Sequence, residues 1–349
     1  MWMTRPLIHQ LRRAARLPAH SLQDLAVRSW EIAPAHVGQV PPALSLPNQW
    51  ERVRGFSEFS SRQGDFQALR GGFEAQHDAT RAFLVRDVIL SDGVLYKGQA
   101  SLHLHPRSRV IPSLHVEHEI DRGALYCSFS GNRYFGQWLM DDCPTYSLAA
   151  SEGIPAATAH PVNVHTAGYE GWLGMTPFRA SSARFHELVI FDDIGQNPNK
   201  HARFRALGDK LRQRVTVRPH PGVFILRGTT GTRRVLRDEM PLAERLRDSR
   251  GFTIVDPAKM DVPAIVRACA GSKVVIGVEG SGLIHGILHL EHGGGLLVLQ
   301  PPQRFSAIYK NLTDRDGQQF AFVVGHPGND DFQIDPDEVE RTLDLLDGS

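Results

Sequence analysis

From residue 201 to residue 324, short apolar runs alternate with segments of helical period. Helical spacing over 201–214 leads to the run 223–226 (VFIL). Helical segments at 238–249 and 261–271 flank the run 252–255 (FTIV). The run 273–278, a helical segment at 281–290, and the runs 295–299 (GLLVL) and 320–324 (FAFVV) complete the series. Strands that are apolar throughout, each followed by a helix, belong to a parallel sheet covered on both faces. The fold class is therefore α/β. In such sheets ligands sit beyond the carboxyl ends of the strands, so the residues just after these runs are where chemistry is expected. A final acidic helix is expected over 336–347, opened by PDE.

The first half reads as a mixed sheet with few clean helices. Residues 82–97 give two strands around Ser91-Asp92-Gly93, a hairpin signal. Further apolar runs lie at 109–117 and 123–130, strands are expected at 160–164 and 185–191, and 138–150 is helical but interrupted by Pro144. Residues 34–48 are proline-rich and extended. At 349 residues the chain exceeds what one core usually serves, so two domains are expected. The expected boundaries are 1–194 for an N-terminal lobe, 195–325 for a C-terminal lobe and 326–349 for a tail helix.

The 39 basic and 38 acidic residues nearly cancel, which gives no reason to expect a nucleic-acid partner. Only six of the basic residues are lysines, and arginines suit bidentate contact with phosphate and carboxylate. Genomic base composition accounts for such a bias equally simply. Cys127, Cys143 and Cys269 form no CxxC pair, which argues against structural zinc or a disulfide framework and fits a reducing compartment. No apolar stretch is long enough to span a bilayer. Arg12, Arg13 and Arg16 precede no long apolar core, so the start does not read as a secretory signal. It reads as an ordinary surface helix, or as a basic segment in peripheral contact with the inner face of the membrane. A cytoplasmic protein is expected.

After KVVI comes GVEGSGLIHGILHL, residues 277–290. Gly280-Ser281-Gly282 turns the chain from a buried strand into a helix. The first amides of a helix lack internal partners and carry partial positive charge, so glycines there let an anion approach. The plain alternative is a tight strand–helix turn that needs glycine only for its backbone angles. Arg227 ends the run 223–226, and Arg233, Arg234 and Arg237 follow. A parallel strand brings Arg227 to the same sheet edge as the glycine turn, where a guanidinium would neutralise a phosphate. Asp238 is expected to cap the next helix, and Glu239 stays open between a capping role and a contact with ribose hydroxyls.

The sequence ILRG…RRVLRDE, then FTIVDP, then KVVIGVEGSGLIHGIL, then GLLVLQP, resembles the glycosyltransferase family 61 pattern. Arg227, Arg234, Asp238, Glu239, Gly277, Gly280, Ser281, Gly282 and Leu283 occupy the positions of that pattern. Upstream, Asn132-Arg133-Tyr134-Phe135-Gly136-Gln137-Trp138-Leu139-Met140-Asp141-Asp142-Cys143-Pro144 is similar to the family's N-Y-x-H-W-L-x-[ED]-x-x-P. The resemblance covers roughly residues 125–325. Three positions depart from the pattern: Gln137 and Glu279 stand where the family has histidine, and His285 where it has asparagine.

The resemblance implies a GT-B-like enzyme with two Rossmann-like lobes and a cleft between them, the N-terminal lobe more irregular and β-rich. It implies an inverting, metal-independent hexosyl- or pentosyltransferase. The donor is a nucleotide sugar, with a UDP-sugar expected, and the acceptor is a surface or capsular polysaccharide or a lipid-linked glycan. No separate cofactor is implied. Arg227, Arg234, Glu239, Gly280, Ser281, Gly282 and His285 would bind donor; Asn132, Gln137 and Trp138 would lie on the acceptor side. A leaving diphosphate would be stabilised by amides and arginines. One base must take the acceptor's proton. Asp141, at the family's acidic position, is the first candidate, against a plain helix-surface carboxylate, and Glu279 is the second.

Two other readings are kept. Gln137 and Glu279 are compatible with a GT-B fold retained as a carbohydrate-binding or scaffold module whose transferase residues have decayed. HLHPRSRVIPSLHVEHE, residues 103–119, places His103 and His105 on one strand face. With His115, Glu117, His118 and Glu119 nearby, it raises a metal-dependent hydrolase. Chance clustering among 17 histidines is the simpler account, and one of these side chains would more readily contact an acceptor.

Overall fold

The computed structural model describes residues 20–108, 115–228 and 234–348. The arginine-rich first segment, Arg233 and residues 109–114 of the 109–117 run lie outside the described residues. The chain divides into two compact units, 1–35 with 78–204, and 36–77 with 205–349. Each has its own sheet, and the architecture is mixed α/β.

The first unit is built on an eight-stranded mixed sheet. The hairpin read from Ser91-Asp92-Gly93 is present as Thr80–Ser91 and Val94–Lys97, with Asp92 and Gly93 both at positive φ. Thr80–Ser91 pairs antiparallel with Ser182–Asp192, which pairs parallel with His118–Leu125. Ile154–Thr158 and Phe178–Ala180 continue the sheet in parallel.

Two expectations are corrected here. The strand lies at Ile154–Thr158, not at 160–164. Asn163 instead starts a helix, Val164–Leu173, its side chain accepting from the His165 amide at 2.8 Å. Pro144 does not interrupt a helix but sits in the first turn of Cys143–Glu152, where its missing N–H costs nothing. The residues before it, Trp138–Asp142, form a π-helical turn.

The second unit contains the parallel sheet read from the alternation. Its strand order is Thr253–Val255, His220–Ile225, Ser272–Val278, Gly295–Gln300 and Gln319–Val324. All four pairings are parallel. Glu239–Arg250 ends on left-handed Gly251, and Val262–Cys269 starts on Asp261, which accepts from the Ala264 amide at 2.9 Å. Phe224, Ile276, Leu297 and Val323 from the sheet share one core with Val339, Leu343 and Leu346 of Pro336–Asp347. The last helix is thus part of this unit's core.

Residues 36–77 group with this unit as well, for a visible reason. Leu44 bonds into the sheet edge through Phe320 O and the Phe322 amide, at 2.8 and 3.1 Å. Trp50, Phe56 and Phe66 pack edge-on with Phe305 and Phe322. Arg52 grips Glu338 through two bonds of 2.6 Å. Among the described residues no helix is long and apolar enough to cross a membrane.

Candidate active site

Ile225 pairs in register with Gly277, so Arg227 and Glu279 leave the sheet from the same carboxyl edge. Gly280 follows with φ 151° and ψ 172°, a backbone conformation that L side chains rarely adopt. A Cβ on Gly280 would collide with the Arg227 guanidinium, and Arg234 Nη1 lies 3.7 Å from the same point. The glycine is required because two arginines converge on bare backbone. Tyr309 Oη donates to the Gly280 carbonyl at 2.9 Å, and burial pushes this phenol well above its usual range. Arg234 Nη1 donates to the Glu279 carbonyl at 3.0 Å and also ion-pairs with the Glu279 carboxylate.

A third arginine joins them. Burial, and secondarily the charge of Arg304, pull the Arg227 guanidinium below its usual range, only partly offset by Tyr309 and Glu239. Arg304 Nε is buried and has no hydrogen-bond partner among the described residues. Three guanidiniums against the carboxylates of Glu279 and Glu239 leave an excess of positive charge beside a backbone turn. Such an excess favours an anion.

The helix after the turn is shorter than the sequence suggests. It consists of a 3₁₀ turn, Ser281–Leu283, and one α turn, Ile284–Ile287. Its first carbonyl-bonded amide is that of Leu283, to Gly280 O at 3.1 Å. So short a segment supplies little macrodipole, and the attraction for an anion rests mainly on the arginines. Ser281 and Gly282 are half-buried, whereas His285 is 1% exposed.

Asp238 does not cap the following helix. It sits at φ 59° and its side chain makes no capping bond, because an N-cap needs an extended backbone to reach the next amides. Glu239 does the bracing instead, its two carboxylate oxygens accepting from the Arg227 and Gly228 amides at 2.8 and 2.9 Å. Burial raises this carboxyl, while those two amides pull it the other way. Glu239 therefore fixes the backbone that carries Arg227.

In the first unit, the π-helical turn aims Asp141 and Asp142 at a cavity of about 650 Å³ also lined by Gln137, His103 and Ser128. Asp141 Oδ1 lies 2.5 Å from Lys200 Nζ. Lys200 is wholly buried and donates also to the Asp193 carbonyl at 2.7 Å. Asp193 in turn binds Arg203 at 2.6 and 2.9 Å, and accepts from Thr80 and Thr145, each at 2.9 Å. Burial would raise the Asp193 carboxyl, but Arg203, Lys200 and Thr145 hold it below the usual range.

A second cavity of about 340 Å³ is lined by Asn132, Trp138, Thr158 and Arg179. Asn132 Nδ2 donates to Leu104 O at 2.9 Å, and Trp138 is 4% exposed. Arg179 is held by Glu170 at 2.6 Å and by the Tyr126 hydroxyl at 3.1 Å. The sequence-derived acceptor-side residues thus fall on two neighbouring stretches, Gln137 lining the larger cavity and Asn132 and Trp138 the smaller.

The histidine-rich segment is not gathered as a ligand set. His105 stacks on His160, and His118 lies edge-on to Phe178. Glu119 pairs with Arg184 and His186 at 3.6 and 3.4 Å, and Glu117 accepts from Ser181. Among the described residues no group of three His, Cys, Asp or Glu side chains converges as metal ligands do.

Sequence reasoning missed Lys200, Asp142, Arg304 and Tyr309. Lys200 carried one signal, being a rare lysine in an arginine-rich chain. Arg304 and Tyr309 follow the run 295–299 within PPQRFSAIYK, a place at the carboxyl edge that the parallel-sheet rule already pointed to.

The glycosyltransferase 61 family profile matches residues 105–296, more than half of the chain. The protein belongs to glycosyltransferase family 61, and is accordingly a glycosyltransferase. Comparison with curated proteins finds no match.

Proposed function

We propose that the protein transfers a hexosyl or pentosyl group from a nucleotide sugar, a UDP-sugar being the expected donor, to a hydroxyl of a surface or capsular polysaccharide or a lipid-linked glycan. The observation that carries this reading is the convergence of Arg227 and Arg234 on Gly280 at the carboxyl edge of a parallel sheet. Guanidiniums fixed in a partly buried setting stabilise the charge that develops on a leaving diphosphate. In this scheme inversion is metal-independent, and chelator should leave turnover unchanged. Two units, each with its own central sheet, support a GT-B reading.

Titration calorimetry with UDP and a panel of UDP-sugars tests the donor site. Arg227→Ala should weaken UDP binding at least about tenfold, roughly the worth of one charge-assisted contact. Unchanged affinity in that variant would remove the assignment. A glycan-binding module with no transferase role would ignore every nucleotide in the panel.

A further inference from the structure

Asp141 and Asp142 are consecutive, line the same cavity, and stand in opposite electrostatic settings. Asp141 is hydrogen-bonded to Lys200, whose side chain is 0% exposed and whose other partner is a neutral carbonyl. That carboxylate is committed to holding a buried ammonium, whose charge also acts on Asp193. Asp142 differs. It is 4% exposed, accepts from the Ser128 amide at 2.9 Å, and lies so close over Gly131 that no Cβ would fit there. The charged and titratable groups that act on it are Asp141, Lys200 and the thiols of Cys127 and Cys143. The one cation among them, Lys200, is bonded to Asp141 instead. A proton arriving at Asp142 therefore breaks no ion pair.

We propose that Asp142, rather than its neighbour Asp141, is the proton acceptor of this cavity, taking the proton of an acceptor hydroxyl. The inference rests on the glycosyl-transfer reading. The hydroxyl oxygen forms a bond to the anomeric carbon of the donor sugar as the bond from that carbon to the diphosphate breaks. The electron pair leaves on the diphosphate, and the hydroxyl proton passes to the Asp142 carboxylate. Asp141 and Lys200 act as a fixed pair that shapes the cavity wall. The electrostatics agree: burial, aided by Asp141 and opposed by Ser128 and Lys200, pushes the Asp142 carboxyl up to about 7. A carboxyl whose surroundings raise its proton affinity toward neutrality is suited to acid–base work.

Infrared difference spectra of the full chain, recorded from mildly acidic to mildly alkaline pH, test the charge state without any sugar nucleotide. A carboxylic C=O band should titrate near neutrality, survive in Asp141→Asn and vanish in Asp142→Asn. Loss of the band in Asp141→Asn, or its persistence in Asp142→Asn, would overturn the proposal. Circular dichroism of each variant guards against reading misfolding as loss of a band. With whichever UDP-sugar the wild type turns over, kcat should rise with pH through the same midpoint. Asp142→Asn should lower kcat at least a hundredfold while UDP affinity stays within twofold. Wild-type kcat in Asp142→Asn would remove the catalytic role while the titration stood. A wild type that turns over no nucleotide sugar would instead sink the glycosyl-transfer reading.

Discussion

Glu279 pairs with Arg234 immediately before the glycine turn, and the two side chains are only 8% and 9% exposed. The family's histidine at this position is replaced by a carboxylate, which at first sight repels a phosphate. The pairing removes that conflict, because the negative charge is matched within the protein while Arg227 and Arg304 remain near the turn. A diphosphate arriving there would share Arg234 with Glu279.

Removing that carboxylate should destabilise the protein yet make it more dependent on ligand. Glu279→Ala takes from a nearly buried guanidinium the carboxylate it pairs with, a loss of about 3–5 kcal/mol. UDP should then raise the melting temperature of the variant by more than it raises that of the wild type. Thermal unfolding with and without UDP makes the comparison, and equal shifts in the two proteins would contradict it.

Gly280→Ala should act on both stability and binding. Its φ of 151° is strained for alanine, at about 1–3 kcal/mol, and the new methyl would displace the Arg227 guanidinium. Calorimetry should show weakened UDP binding in a protein that still folds. A variant with wild-type affinity would mean that Arg227 does not contact the nucleotide.

The Lys200–Asp141 pair should show coupling. Asp141→Leu alone is expected to cost about 3–5 kcal/mol, because it takes from the wholly buried Lys200 ammonium its hydrogen-bonded carboxylate. Adding Lys200→Met should recover part of that loss, with a coupling energy of about 1–3 kcal/mol from denaturant unfolding of the four proteins. Additive losses would show that the two groups stabilise the fold independently.

Asp142 should leave a mark on the pH dependence of stability. Its folded carboxyl is raised to about 7 from an ordinary value of 3.8. A raised carboxyl favours the folded state while protonated, and that advantage disappears as pH climbs from the ordinary value through the folded one. Asp142→Asn should therefore flatten the stability curve over this interval and gain a few kcal/mol over wild type on the alkaline side. Identical slopes in chemical denaturation across that range would contradict the assignment.

The second sheet was legible because its strands are apolar from end to end, and its helices announce themselves by Asp261, Gly251 and Pro336. The location of Arg227 and the glycine turn followed from parallel strand geometry. What periodicity misjudged was local competition. Around Asn163 a capped helix start outweighs the surrounding apolar pattern, and Pro144 sits at a helix start that has no side-chain cap. The segment after Gly280 is rich enough in leucine and isoleucine to suggest a long helix, yet it folds as two short turns. The pairing of Lys200 with Asp141 joins residues 59 positions apart, and no local spacing encodes it. The association of 36–77 with the second unit is invisible for the same reason, since its partners Phe305, Phe322 and Glu338 lie far downstream.

That excursion of the chain bears on how the protein is made. Trp50 and Phe66 emerge from the ribosome long before Phe322, so their rings have no permanent shelter while the intervening 250 or so residues are synthesised, on the order of tens of seconds. Glu338, which clasps Arg52, comes later still. The nascent polypeptide must hold an aromatic stretch in waiting until Phe322 and Glu338 have been made.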